Sequence, residues 1–221
     1  MVKFEREETE KAKRAIASLQ KAKENGTSYN MPEVNEALYE MFRGKCYICE
    51  NKNATSNQIE HLQSHRGNMD LKYDWNNLFW ACAHCNNIKL DTFEPILDCT
   101  KEEIDNVIAF RKKGYFGTDE KLVFEPLDSR PETLNTVELL NAVYYGTTAQ
   151  KKIEARVLRK NVREELSKFK RMVRDYEDAE GEDKEDLFIY LKRELKNNSA
   201  FTAFKRWLIK DHQECFSEFL T

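Results

Sequence analysis

The chain has 221 residues, of which 34% are charged and 40% hydrophobic, with a formal net charge of −3. That length suffices for one large domain or two small ones with a buried core. The slightly acidic balance excludes a protein that grips nucleic acid over its whole surface, and no apolar run approaches the ~18 residues of a membrane span. No secretory signal is visible, so the chain is expected to be cytoplasmic, with its thiols reduced.

Residues 3–24 predict a helix, with Phe4, Ala12, Ala15, Ile16 and Leu19 near one face. Asn25-Gly26 stops it. A second helix follows Pro32, a favoured first-turn residue, with Val34, Leu38, Met41 and Phe42 as its apolar stripe and Gly44 at its end. Residues 1–44 are thus expected to be helices packed on the back of the segment that begins at residue 45. Their basic residues, Lys11, Lys13, Arg14, Lys21 and Lys23, are interspersed with acids and read as a solvated face.

Cys46 to Lys89 is the stretch that carries chemistry. Cys46-x-x-Cys49 and Cys82-x-x-Cys85 bracket it. A Cys-x-x-Cys pair places two thiolates on one tight turn, and two such turns complete the tetrahedral shell that structural zinc prefers. The separation, residues 50–81, exceeds the usual ribbon spacing, so a folded element is expected inside it. No thioredoxin-like βαβ pattern surrounds either pair, which argues against a redox reading. Gln58 to His61 predicts a short strand, Trp75 to Ala81 a second, and Cys85 to Leu90 the start of a helix. Between the pairs lie Glu60-His61 and Asn77, and Asn86 follows the last cysteine. His84, inside the second pair, is expected to be exposed on the knuckle. His65, Arg66 and Lys72 lie in a predicted loop and read as solvated, with the alternatives that His65 assists a metal or touches substrate and that Arg66 and Lys72 meet phosphates. Cys99 and Cys215 stand outside any pattern.

Beyond residue 99, Thr100 and Glu103 have the spacing of a capping box. They predict a short helix carrying Ile104, Val107, Ile108 and Phe110. Gly114 to Gly117 predicts a turn, Lys121 to Pro126 a strand, and Asp128 to Pro131 a loop. Thr136 to Tyr144 predicts another helix. From Thr148 to Tyr176, Ile153, Val157, Leu158, Val162, Leu166, Phe169, Val173 and Tyr176 form a sustained helical stripe. The other face carries Lys151, Lys152, Arg156, Arg159, Lys160, Arg163, Lys168, Lys170, Arg171 and Arg174, either solvated or a contact for nucleic acid. Asp175 to Asp186, acidic around Gly181, reads as a loop with a helix start, followed by helices near 187–195 and 201–219. Phe201, Phe204, Trp207, Phe216 and Phe219 read as core rather than as a docking face.

The order strand, loop, strand, helix, pinned by cysteines, resembles the HNH endonucleases, whose core is a ββα-metal fold. The motifs CYIC, EH, NL and CAHCNNIK occur here in the family's order. The resemblance implies an α+β, mainly helical protein. A zinc-stabilised HNH core over 45–98 would follow the N-terminal helices, with a helical, partner-binding region over 99–221. It implies a structural Zn²⁺ on Cys46, Cys49, Cys82 and Cys85, and a catalytic Mg²⁺ or Mn²⁺ held by Glu60 and Asn86. In this reading His61 activates water, Asn77 orients the imidazole and Lys89 meets a phosphate. Glu60 stands where Asp or His is commoner, and Asn76 and Asn87 leave the register of the two asparagines open by one residue. The pieces EHL, WNNLFWACAHCNNIK and NTVELLN further resemble nuclease subunits of Septu-type and retron-linked antiphage systems. That likeness implies a partner ATPase and a nucleic-acid substrate, DNA favoured over RNA. A zinc-knuckle binding or adaptor protein without catalysis is the alternative.

Overall fold

The structure, a computed structural model, describes residues 1–115 and 119–219. Residues 1–9 are extended, not helical as predicted. Phe4 N–H donates to the Cys99 carbonyl at 2.8 Å. The Arg6 guanidinium donates to the carbonyls of Trp75 (3.0 Å), Asn76 (3.1 Å) and Leu78 (3.0 Å). The N-terminal segment therefore straps two later parts of the chain together. Helix α1 (Glu10–Asn25) starts where Thr9 caps it, the Thr9 hydroxyl accepting from Ala12 N–H. It ends at Gly26 in the left-handed region, φ 65°. Helix α2 (Pro32–Met41) has Pro32 in its first turn. Gly44, φ 69°, turns the chain toward the first cysteine pair; a Cβ there would lie 3.1 Å from the Tyr39 ring.

The middle of the chain forms strand β1 (Asn57–His61), short helix α3 (Met69–Tyr73), a 3-10 turn (Trp75–Asn77), strand β2 (Leu78–Cys82) and helix α4 (Ala83–Lys89). The strands are antiparallel, Asn57 opposite Cys82 and His61 opposite Leu78. The order strand, strand, helix is the predicted one, with two changes. Asn68 and Asp74 cap short turns that place α3 inside the predicted loop, and α4 begins two residues earlier than expected.

The predicted helix around Ile104 to Phe110 is a correction. A 3-10 turn (Ile104–Asn106) leads into strand β3 (Ile108–Lys113), which pairs antiparallel with β4 (Lys121–Pro126). The capping-box residues are engaged elsewhere: Thr100 donates to Asp98 at 2.7 Å and Glu103 accepts from Arg206 at 3.1 Å. Phe110 instead packs edge-on against Phe124 and Phe204, ring centres 5.4 and 5.5 Å away. A strand partner thus overrides a local helical pattern. Gly114 has φ 76°; the rest of the predicted turn, Phe116 and Gly117, lies outside the described residues.

Helices α5 (Pro131–Tyr145), α6 (Ala149–Asp178), α7 (Gly181–Glu194), α8 (Thr202–Lys210) and α9 (Gln213–Phe216) complete the chain. Of the acidic run read as a loop with a helix start, residues 175–178 end α6 and residues 181–186 open α7, where Glu182 and Asp183 face the positive end of the helix dipole. The α6 stripe is buried at Leu158, Val162, Leu166, Phe169 and Val173, whereas Ile153 and Val157 are exposed. Phe201, Phe204 and Trp207 are core, as expected. One hydrophobic cluster includes Leu19, Leu38, Phe42, Phe79, Ile108, Leu140, Val162 and Phe204, so the segments 1–44, 45–98 and 99–221 share a core. A smaller one joins Phe169, Val173, Leu191, Leu195, Ile209 and Phe219. Among the described residues no helix is long and apolar enough to cross a membrane.

The core contains charge. Glu50, 1% exposed, lies 3.0 Å from Lys45 Nζ and 2.8 Å from the Met1 ammonium. Burial alone would push its carboxyl up, but the two ammonium groups outweigh burial and hold it at about 2 against an ordinary 4.5. Because the folded value is the lower one, the stabilisation is complete above the ordinary carboxylate range and is lost as pH falls toward 2. Glu50→Ala leaves Lys45 buried without its counter-charge and is expected to destabilise the protein by about 3–5 kcal/mol. Urea denaturation at neutral pH checks this, and the deficit should shrink in titrations carried from pH 5 downward.

Candidate metal centre and active site

The first cysteine knuckle is a tight turn. Glu50 N–H donates to the Cys46 carbonyl at 2.9 Å and Cys46 N–H to the Asn51 carbonyl at 3.2 Å. Tyr47 N–H donates to the Trp80 carbonyl at 2.9 Å, and the Tyr144 hydroxyl to the Cys49 carbonyl at 2.9 Å. The knuckle is thus fastened to β2 and to α5. Cys82 is at once the last residue of β2 and the N-cap of α4, and Cys85 lies in the first turn of α4.

All four sulfurs are buried, none is in a disulfide, and all lie within 4.8 Å of one another. Cys49 and Cys82 Sγ are 3.8 Å apart. A tetrahedron with Zn–S bonds of ~2.3 Å has edges of ~3.8 Å, so this donor set fits and could hold a zinc ion. Without a cation the sulfurs cannot all ionise. Burial pushes the Cys46 thiol up, but hydrogen bonds from the other three cysteines outweigh it and hold it well below the ordinary range. Hydrogen bonding to Cys46 and Cys82 raises Cys49, and burial raises Cys85. Cys99 is buried and Cys215 exposed, both outside the cluster.

Past the hairpin, a cavity of about 300 Å³ is lined by Glu60, His61, Ser64, His65, Asn86 and Asp91. Three sequence-predicted residues, Glu60, His61 and Asn86, therefore meet in one place. Asn87 lines a different groove, of about 420 Å³, against α6. A larger groove, about 760 Å³ between α1 and α3, is lined by mixed charges such as Lys23 and Asp70. It has no histidine or thiol, and chemistry favours the smaller cavity.

His61 ends β1. Its Nε2 lies 3.0 Å from the Lys72 carbonyl, an acceptor only, so Nε2 carries the proton and Nδ1 keeps its lone pair. Tyr29 and His65 stand edge-on to its ring, each with centroids 4.9 Å away. Burial lowers its pKa, and His65, Lys89 and Lys72 add to this against the Lys72 carbonyl. The imidazole is neutral at neutral pH. Asn77 makes no hydrogen bond to it, contrary to expectation. Asn77 accepts from Gln63 N–H at 2.8 Å and donates to the Gln63 and Leu71 carbonyls at 2.8 and 3.0 Å. Its Leu71 partner precedes Lys72, whose carbonyl meets His61 Nε2.

Lys89 corrects a second expectation. It is fully buried and meets no solvent-borne phosphate. Its ammonium lies 2.9 Å from Glu60 Oε1 and donates to the His61 carbonyl at 2.9 Å, with Glu94 Oε1 at 3.4 Å. Burial raises the Glu60 pKa, with Lys89 opposing it. Asn86 donates through Nδ2 to Gln58 Oε1 at 2.5 Å, and no hydrogen bond among the described residues engages its Oδ1. The Mg²⁺ or Mn²⁺ expected here would have the Asn86 amide oxygen and a Glu60 carboxylate already shared with Lys89. Among the described residues, only the four cysteines bring three or more His, Cys, Asp or Glu donor atoms close enough for an ion.

Several residues of the cavity and its surroundings carry no sequence signal. Glu94 accepts from Ser64 N–H at 2.5 Å as well as from Lys89, and Asp91 pairs with Arg66 at 3.6 Å. Neither lies in a motif, and both gain their partners only when α4 folds back. His84, expected to be exposed, is half-buried. Its ring nitrogens lie 2.6 Å from Glu154 and 2.8 Å from the Val143 carbonyl, docking α4 on α6 and α5. On the basic face of α6, Arg163 pairs with Glu120 at 3.3 Å and Lys151 with Glu154 at 2.8 Å. Arg159 donates to the Tyr144 carbonyl.

No family model, curated protein or solved structure matches the chain.

Elemental analysis of the purified protein is expected to find one zinc per chain. Cys85→Ser should lose it and destabilise the fold by more than about 5 kcal/mol, because thiolate–zinc binding energy of roughly 10–16 kcal/mol is folding energy. Lys89→Ala is expected to lower stability by about 3–5 kcal/mol in chemical denaturation, the cost of stranding buried carboxylates. A surface phosphate contact at the same position would change it by less than about 0.5 kcal/mol.

Proposed function

We propose that the chain is a metal-dependent HNH-type endonuclease that hydrolyses phosphodiester bonds, DNA favoured over RNA. We further propose that it works beside a partner ATPase in antiphage defence. The observation that supports this reading is the meeting of Glu60, His61 and Asn86 at one cavity, with His61 Nδ1 holding an unshared electron pair.

Hydrolysis needs a water stripped of a proton and a phosphate whose charge is neutralised. The neutral His61 imidazole takes the water's proton at Nδ1, and the Lys72 carbonyl holds the ring in that tautomer while it becomes positive. Asn77 keeps Leu71, and with it the Lys72 carbonyl, at its station. Asn86 Oδ1 and Glu60 are the groups that would hold Mg²⁺ or Mn²⁺, which supplies charge neutralisation on the phosphate when bound. Lys89 orients Glu60 and is a positioning residue. The zinc-bound cysteines hold β2 and α4 together and take no part in the chemistry.

One observation favours the alternative, a zinc-knuckle binding or adaptor protein without catalysis: the Glu60 carboxylate is already paired with an internal ammonium, 2.9 Å away. Plasmid nicking separates the two. With Mg²⁺, alone and with any ATPase encoded beside it, the wild-type protein is expected to nick, and His61→Ala to be slower by about 10²–10⁴-fold, the usual worth of a general base. Equal nicking by both proteins, or none by either with the partner present, overturns the nuclease assignment.

A further inference from the structure

The cavity holds a second imidazole that the proposed hydrolysis leaves unused. His65 lines it, with its ring centroid 4.9 Å from that of His61 and the planes inclined at 63°. His65 is half-buried in its loop rather than fully solvated. Its backbone carbonyl accepts from Asn68 N–H at 2.6 Å. The loop before it is held by Asn77 at Gln63 and by Glu94 at Ser64. Arg66 and Gly67 both turn through the left-handed region, φ 43° and 88°, and that turn brings Gly67 N–H to 3.1 Å from His65 Nδ1.

This last contact decides the tautomer. An amide N–H can only donate, so Nδ1 must accept, and the ring proton belongs on Nε2. His61 has the same tautomer for the opposite reason, since its Nε2 faces a carbonyl. The consequences differ. His61 has its proton tied up by protein and its lone pair free, so it is a base. His65 has its lone pair tied up by protein and its proton free, so it is a donor. A neutral donor held by its own backbone needs no reorganisation when charge develops beside it.

Resting on the nuclease reading, we propose that His65 is a substrate-contacting residue whose neutral Nε2–H hydrogen-bonds a non-bridging oxygen of the scissile phosphodiester, facing the water activated by His61. It does not protonate the leaving oxygen, because giving up Nε2–H while Nδ1 accepts from Gly67 would leave an imidazolate.

Two substitutions split the roles of the ring. His65→Asn keeps an acceptor near the Nδ1 position for Gly67 N–H and loses the distal donor; His65→Gln keeps a donor near the Nε2 position. On plasmid DNA, and in parallel on an RNA oligonucleotide, His65→Asn is expected to cut at least about tenfold more slowly than wild type, one hydrogen bond to a charged group being worth that much. His65→Gln should recover part of the loss, and the arm in which the effect appears identifies the nucleic acid. If His65→Asn cuts within twofold of wild type, or if Asn and Gln are equally slow, the proposal fails while the nuclease assignment stands.

A measurement independent of turnover covers an inactive wild type. In ¹⁵N imidazole spectra His65 should be the Nε2–H tautomer, and its Nε2–H should shift when dimethyl phosphate is added with Mg²⁺. An Nδ1–H tautomer, or no shift at saturating probe, overturns the proposal whatever the nicking assay gives.

Discussion

Four buried sulfur atoms close enough to share one coordination sphere mark the point where the first knuckle, β2 and α4 meet. Their separation, 3.8 Å between Cys49 and Cys82 and at most 4.8 Å overall, suits the edge of a zinc–thiolate tetrahedron. Cys82 belongs to a strand and to the helix after it, so the sphere sets the angle at which β2 passes into α4. Lys89, at the far end of that helix, consequently reaches back to Glu60 and to the His61 carbonyl. The cavity is the space left under this closed path, and Asn86 enters it because α4 leaves the cysteines in that direction.

Buried lysines repeat the theme in other parts of the fold. Lys45, Lys89 and Lys205 are all fully buried. Each is paired with carboxylate: Lys45 with Glu50, Lys89 with Glu60 and Glu94, and Lys205 with Glu165 and Glu194. Lys45 also donates to the Asn197 carbonyl at 2.8 Å, tying the first knuckle to the segment before α8. Desolvating such charges is expensive, and they stabilise less than their geometry suggests. Their effect is on register, since an ammonium that must meet named oxygens leaves few alternative packings. In the cavity this means that Glu60 is oriented from inside the protein, and the two histidines face the open side.

The two histidines show how backbone groups can assign chemistry. One ring meets a carbonyl and the other an amide, and this difference alone makes one a proton acceptor and the other a proton donor. Both backbone partners come from short turns, the Lys72 carbonyl from α3 and the Gly67 amide from the left-handed bend before it. The loop that carries the bend is fastened by Asn77 at Gln63 and by Glu94 at Ser64.

The knuckles, the hairpin and α4 were readable from the chain alone. Cys-x-x-Cys turns, a strand ending in Glu60-His61 and the helix opening at the second pair are local features, encoded by neighbours a few residues apart. The long helices were readable for the same reason, with Thr148 and Gly26 marking ends that propensity can recognise, although the start of α1 after Thr9 was placed too early. What the sequence could not determine was anything settled by a distant partner. Strand β3 carries a helical apolar spacing and became a strand because β4 offered it a ladder. Lys89 sits one turn past Asn86, as a phosphate contact would, and its charge is neutralised by Glu60, which lies 29 positions earlier in the chain. His65 and His84 read as surface residues until α3 and α6 supplied their partners. Spacing along the chain encodes short-range geometry, whereas the fate of a charge or a ring proton depends on which groups the tertiary fold brings within about 3 Å of it.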